Sequence, residues 1–345
     1  MLTIGKVKRV KYFTKDRIEK INPENIKKYE KYLKSNIIKN KDVEDTTFKV
    51  YKNNFNQFLV YLSEQYDNID LYSEEFMEDA IDIMEGFMAF CQDTLLNNKK
   101  AVNNKLSAIS SFYHWSVKRK LIKYHPFDKQ LDRMKGATEE QIINSYFLTQ
   151  EQVNTIKEEL LKDSKKYDIQ DRILFNLAID SANRIGALSK LRLANMDLDE
   201  CMFTDVREKR GYKVEVVFEE ETRDMIEEWL NYRKDNLDKL DVDSLFISKW
   251  QGEYRPMSKG SLQNRIRKIG NIIGLDDFHA HCTRKTKANL VTEITGDITL
   301  ASELLNHKSI ETTRSSYIKK KSKTETRNKI RELMNQNSNQ GKDDI

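Results

Sequence analysis

Six residues in the second half of the chain, Arg184, Lys209, His281, Arg284, His307 and Tyr317, carry side chains suited to work on a phosphodiester. Metal-free transfer of such an ester needs a clamp on the nonbridging oxygens, an acid for the departing alkoxide and a nucleophile. Arginine suits the clamp, because its planar fork donates to two phosphate oxygens and stays charged at any working pH. Two arginines from distant segments cradle the group from both sides and stabilise the charge that builds in the transition state. His281 and Arg284 stand three apart, so on a helix they face the same way and set a proton carrier beside a clamp. His279 competes for that role, and the three-residue spacing selects His281. A lysine serves as acid only when held against the bond, since its unperturbed pKa is about 10.4. Lys209 is the first candidate and Lys213 the fallback. A phenol, with a pKa of about 10, attacks only from a positive pocket or beside a base. Tyr317 is the only tyrosine after His307.

The local sequences around these residues are NRIGALSKL at Arg184, EKRGYK at Lys209, HCTRKT at His281 to Arg284, and LLNHKSIETTRSSY ending at Tyr317. Together and in this order they resemble the tyrosine recombinase (phage integrase) family. The resemblance implies a site-specific recombinase or integrase that cleaves and rejoins duplex DNA through a 3′-phosphotyrosine. In that reading Tyr317 attacks the phosphate, Arg184 and Arg284 bind its nonbridging oxygens, and His281 and His307 hydrogen-bond it and move protons. Lys209, on a hairpin, protonates the leaving 5′ oxygen. The bond energy stays in the protein–DNA ester, so neither a metal nor another cofactor is implied. Also implied are a two-domain DNA clamp, a homotetramer around two duplexes, accessory DNA-bending or directionality proteins, and a bacterial or phage-encoded protein of the cytoplasm.

Several positions depart from the family pattern. An acid usually stands three residues after the first arginine, where this chain has Ala187. Thr283 and Lys285 replace the usual Leu and His around Arg284. Asn306 replaces a glycine, though both tolerate left-handed backbone. Ten residues separate His307 from Tyr317 where nine is typical, and one extra residue turns a helical side chain by about 100°. These departures define a rival reading, a catalytically silent recombinase fold that acts as a sequence-specific DNA-binding regulator, such as a repressor. A type IB topoisomerase is a further rival with similar chemistry.

The elements that must position these residues read as mainly α, with a small β-sheet or hairpin in the C-terminal domain. Residues 1–44 form a basic N-terminal arm: residues 1–41 hold thirteen Lys or Arg and four acids, net +9, so the rest of the +5 chain is −4. Such an arm suits phosphate contact. Phe48, Tyr51, Phe55, Phe58, Leu59 and Leu62 mark one helix face. Ser73 caps a second helix carrying Phe76, Ala80, Met84, Phe87 and Met88. Val102, Leu106, Ile109, Tyr113 and Val117 mark a third, completing a helical core-binding domain over 45–125. Residues 126–147, with Pro126, Gly136 and many charges, read as a linker.

The catalytic domain spans 148–320 and begins with a capping-box pattern at Thr149 and Gln152. DVREKRGYKVEVVF reads as a hairpin around Gly211, and LFIS at 245–248 as a short strand. Residues 321–345 form a tail whose Ile330, Leu333 and Met334 make a candidate docking helix. Hydrophobic residues at 38% and charged at 33% suit a soluble protein that still builds cores. The three cysteines, Cys91, Cys201 and Cys282, are too widely spaced for a disulfide framework or a zinc pattern. No apolar run reaches the roughly 20 residues that span a bilayer, and the first residues lack an apolar signal core.

Overall fold

The computed structural model describes residues 10–39, 45–136, 146–162, 165–208, 212–237 and 242–319, and beyond them 323, 324, 326–328, 330 and 331. It divides into two compact units, Met1–Ile143 and Asn144–Ile345. The fold is mainly helical with two small antiparallel sheets. Among the described residues no helix is long and apolar enough to cross a membrane.

The first unit holds helices α1 (Lys15–Ile18), α2 (Pro23–Lys39), α3 (Asp45–Gln65), α4 (Glu74–Asp93) and α5 (Lys99–Lys118). Ser73 Oγ accepts the Phe76 amide at the start of α4, and Asn98 caps α5 through the Ala101 amide. The core is aromatic: Tyr29, Phe55, Phe58, Phe76, Phe87, Phe112 and Tyr113 are all fully buried. Tyr29 stacks flat on Phe55 with ring centroids 3.7 Å apart.

Two boundaries differ from the sequence reading. The segment read as a basic arm contributes α2, whose Tyr29, Tyr32 and Leu33 enter this core. Their helical spacing lies hidden among lysines, which point outward while the apolar face packs. The linker reading of 126–147 also starts too early. Phe127 is buried, Leu131 and Met134 pack beside it, and Asn103 Nδ2 and Oδ1 bond the Met134 carbonyl and amide.

The second unit runs α6 (Gln150–Leu161), α7 (Ile169–Asp180), α8 (Ile185–Leu188), β1 (Met196–Asp197), β2 (Met202–Arg207), β3 (Lys213–Val217), α9 (Glu220–Asn236), β4 (Ile247–Trp250), β5 (Glu253–Pro256), α10 (Lys259–Gly270), α11 (Ala280–Thr295), α12 (Ile298–Leu304) and α13 (Ile310–Ser316). The Thr149–Gln152 capping box forms at the start of α6. Almost every side chain of α7 is buried, which makes it the central helix of the unit. Strands β2 and β3 pair antiparallel, with Val206 opposite Val214 and Arg207 opposite Lys213. The hairpin expected around Gly211 is therefore present, and residues 209–211 at its tip lie outside the described residues. The strand read at 245–248 starts two residues later, as β4, and its partner β5 and the third strand β1 carry too few residues to leave a pattern. Most of the tail read as a docking helix, including Leu333 and Met334, also lies outside the described residues.

Candidate active site

The first arginine is positioned by the end of α7. Asp180 accepts the Thr222 hydroxyl at 2.6 Å and the Glu219 amide at 3.2 Å, tying α7 to the start of α9. Ser181 Oγ donates back to the Leu177 carbonyl, and Asn183 Nδ2 donates to the Glu215 carbonyl of β3 at 3.0 Å. Between them Ala182 turns with φ +49°, a left-handed conformation that a Cβ disfavours. The turn delivers Arg184 as the residue capping α8, with its guanidinium partly exposed. Arg184 Nη1 donates to Glu208 Oε2 at 2.5 Å.

Arg284 is among the largest fully buried side chains in the protein, at 1% exposure. It rises from α11 and its fork joins three segments. Nη1 donates to the Ala182 carbonyl, and Nη2 to the Leu305 carbonyl and to His307 Nε2 at 3.1 Å. Its carbon centre lies 5.5 Å from the Tyr317 ring centroid. Burial pulls its pKa below the usual arginine value, and the neighbouring Tyr317 acts the other way.

That contact assigns the His307 tautomer. An arginine only donates, so His307 Nε2 accepts, and the ring proton sits on Nδ1. Nδ1 donates that hydrogen to Thr313 Oγ1, 2.9 Å away. Burial, then the charges of Arg284 and Arg184, push the His307 pKa down to about 4. His281 is likewise lowered to about 4 by burial, then by Lys285 and Arg284. His281 is nonetheless an exposed residue by surface area, so solvent softens the burial penalty there. Both imidazoles are neutral at pH 7.

Tyr317 follows the last turn of α13 and is 6% exposed. The edges of two imidazoles meet it, with His307 and His281 ring centroids 4.6 and 4.9 Å away. Ala182, Ala288, Ala301 and Leu305 complete its surroundings. Small alanines on three elements leave room for the phenol ring beside Arg284. The structure thus brings together Arg184, His281, Arg284, His307 and Tyr317 from segments far apart in sequence. Lys209 lies outside the described residues; its neighbour Glu208 reaches the site. Lys213, the fallback lysine, is exposed and pairs with Asp205 at 2.7 Å. His279 lies against the Asp277 carbonyl and Cys282, whereas His281 lies against Tyr317.

The sequence profile of the phage integrase family matches residues 146–324, just over half of the chain and all five clustered residues. The chain belongs to the phage integrase family. It is similar to the tyrosine recombinase XerC of Lactobacillus delbrueckii subsp. bulgaricus, 27% identical over 216 residues that cover 61% of this chain and 70% of that protein. Among solved structures it is similar to the XerH site-specific recombinase bound to a palindromic difH substrate, with a TM-score of 0.61 at 18% identity over 78% of this chain and 74% of that one. It is also similar to the Tn1549 transposon integrase in complex with circular intermediate DNA, with a TM-score of 0.60 at 15% identity over 86% and 97%.

Three of the departures from the family pattern have a structural counterpart. Ala187 is fully buried, and the acid beside Arg184 is Glu208, from the end of β2. Asn306 adopts φ +51°, the left-handed turn that a glycine or asparagine takes most readily. Tyr317 lies past the helical register, with φ −120° and ψ −14°, so the extra residue after His307 does not rotate the ring away. Sequence reasoning missed Glu208 and Thr313. Glu208 adjoins Lys209 in EKRGYK, but nothing in the linear pattern links it to an arginine 24 positions earlier.

Proposed function

We propose that this chain is a site-specific DNA recombinase or integrase that works through a phosphotyrosine intermediate. The observation that carries the reading is the convergence of Arg284 and two histidines on one buried tyrosine, with the charge of Arg184 felt at Arg284 and His307. Tyr317 Oη attacks the phosphorus of a scissile phosphodiester, and the bond to the 5′ oxygen breaks. The phosphorus is then bonded to Tyr317 Oη and still carries the DNA strand through its 3′ oxygen. Lys209 gives its proton to the departing 5′ oxygen. Arg184, with its partly exposed guanidinium, and Arg284 take the negative charge that spreads over the nonbridging oxygens. The His307 lone pair is engaged by Arg284, so His281 is the acceptor for the phenolic proton. A 5′ hydroxyl from a partner duplex reverses the step and restores the free tyrosine.

Duplex DNA is the substrate, and each duplex takes two protomers, four in the complete assembly. The tail after Tyr317 docks on a neighbouring protomer, and accessory DNA-bending proteins set direction. The catalytic region is 148–320, and the preceding helical unit grips the DNA that flanks the crossover.

The test is covalent capture. Protein incubated with fragmented DNA of its own source is denatured in detergent, and DNA that stays attached is sequenced. Wild type is expected to retain a discrete sequence and Tyr317→Phe to bind the same DNA natively without any adduct. An adduct that persists in Tyr317→Phe overturns the nucleophile. Discrete DNA bound natively but never covalently by wild type makes the protein a DNA-binding regulator instead. Relaxation of plasmids that lack any special site makes it a topoisomerase.

A further inference from the structure

Resting on the recombinase reading above, we propose that Glu208 is the positioning residue for Arg184, supplied from the hairpin that carries Lys209. Position 187, one helical turn beyond Arg184, offers only a buried alanine. The carboxylate comes from 24 residues downstream, and its Oε2 accepts from Arg184 Nη1 at 2.5 Å.

Three features make this contact part of the site's wall. First, the burial is unequal: the Glu208 side chain is 8% exposed and that of Arg184 39%. The carboxylate holds the guanidinium from the inside and leaves its outer side to a ligand. A carboxylate merely filling the phosphate position would sit on the open side. Secondly, Glu208 also offsets the charge at Arg284, which feels Arg184 in one direction and Glu208 in the other. Two guanidiniums brought together in a half-buried cleft repel until DNA arrives, and a carboxylate that acts on both reduces that repulsion. Thirdly, Glu208 stands beside the tip of the hairpin, just after β2. Its amide donates to the Tyr212 carbonyl at 2.7 Å. Tyr212 in turn accepts from Lys308 Nζ at 2.9 Å, next to His307. The two residues that bracket 209–211 are therefore pinned, one to Arg184 and the other to the segment that presents His307. Glu208 joins the aim of the arginine to the seating of the hairpin.

A further consequence concerns Glu208 Oε1, which is buried with no hydrogen-bond partner among the described residues. A carboxylate with one free acceptor can keep its grip on Arg184 while the other oxygen meets a donor brought in with the substrate or the hairpin tip.

The test uses the full-length protein and a duplex carrying the sequence recovered by covalent capture with wild type. Single-turnover cleavage and native binding are measured for wild type, Glu208→Gln, Arg184→Lys and the double variant. A catalytic group displaced by about 1 Å loses on the order of 10²-fold in rate. Glu208→Gln is therefore expected to cleave about 10²-fold more slowly while binding the duplex as wild type does. In the Arg184→Lys background the same change is expected to have little further effect, because residues acting as one unit are not additive. Equal losses in both backgrounds overturn the proposal, since Glu208 would then act elsewhere. Cleavage as fast as or faster than wild type also overturns it, since the carboxylate would then only compete with phosphate. If Glu208→Gln melts early, Glu208→Ala reads the same cycle without leaving a new polar group in the wall. Failure of the wild type to capture DNA would strike the recombinase reading itself, and this result is separate from either outcome above.

Discussion

Arg284→Lys isolates what the buried guanidinium contributes as a fork, because the positive charge is kept. Removing the charge altogether would mix two opposing effects: relief of repulsion from Arg184, and loss of the bonds to Ala182, Leu305 and His307. With lysine the desolvated charge remains, and one ammonium on a flexible stem cannot reach all three acceptors in their present places. At least one charge-assisted hydrogen bond is lost, worth about 1.5–3 kcal/mol, and at least one buried carbonyl is left unpaired at about 1–3 kcal/mol. Together these come to about 2.5–6 kcal/mol, and even about 3 kcal/mol, near the low end, is a factor of roughly 10² in an opening equilibrium. Hydrogen exchange read by mass spectrometry separates the second unit from the first, so peptides from α7 and α11 report the effect directly. Their protection is expected to fall by about 10²-fold, with peptides of α3 to α5 unchanged. Arg184→Lys is the control: its guanidinium is 39% exposed, and the lysine keeps the charge opposite Glu208, so its cost is expected to stay within about 1 kcal/mol. If Arg284→Lys leaves α11 protection within a factor of about three of wild type, under roughly 0.7 kcal/mol, the fork does not tie these segments together and the reasoning fails.

Two further outcomes follow from the same geometry. The folded-state pKa of His307 is about 4, below the ordinary value of about 6.5, so its contribution to stability is complete above pH 6.5 and is lost as pH falls towards 4. After allowance for solvent, urea titrations should show about 1–2 kcal/mol of this acid sensitivity disappearing in His307→Asn; an unchanged slope between pH 6.5 and 4 would show that another group is responsible. At the left-handed Asn306, Asn306→Gly should unfold in urea much as wild type does, whereas Asn306→Val should cost about 1–2 kcal/mol; equal midpoints for the two would remove the backbone argument for asparagine there.

Much of the site was legible in linear order because its chemistry demands particular side chains. Arginine, histidine and tyrosine have few substitutes for these tasks, and the three-residue step from His281 to Arg284 survives on α11 as written. The capping box at Thr149 and the β2–β3 hairpin were readable for a similar reason, since each is a bargain struck among neighbours in sequence. Helix α2 was obscured because its charge is conspicuous and its buried stripe of Tyr29, Tyr32 and Leu33 is short.

What only the tertiary structure decided is which distant groups hold which. The sequence by itself determined the family, the mainly helical class and the roster of residues fitted to phosphate chemistry. It showed Ala187 where an acid was expected and had no means to find Glu208, because a contact across 24 residues depends on how the hairpin folds back over α8. The same holds for the His307 tautomer, which follows from Arg284 donating to one ring nitrogen and Thr313 lying at the other. Side-chain types are written locally, whereas hydrogen-bond partners inside a fold are set by packing between elements that the chain order leaves far apart.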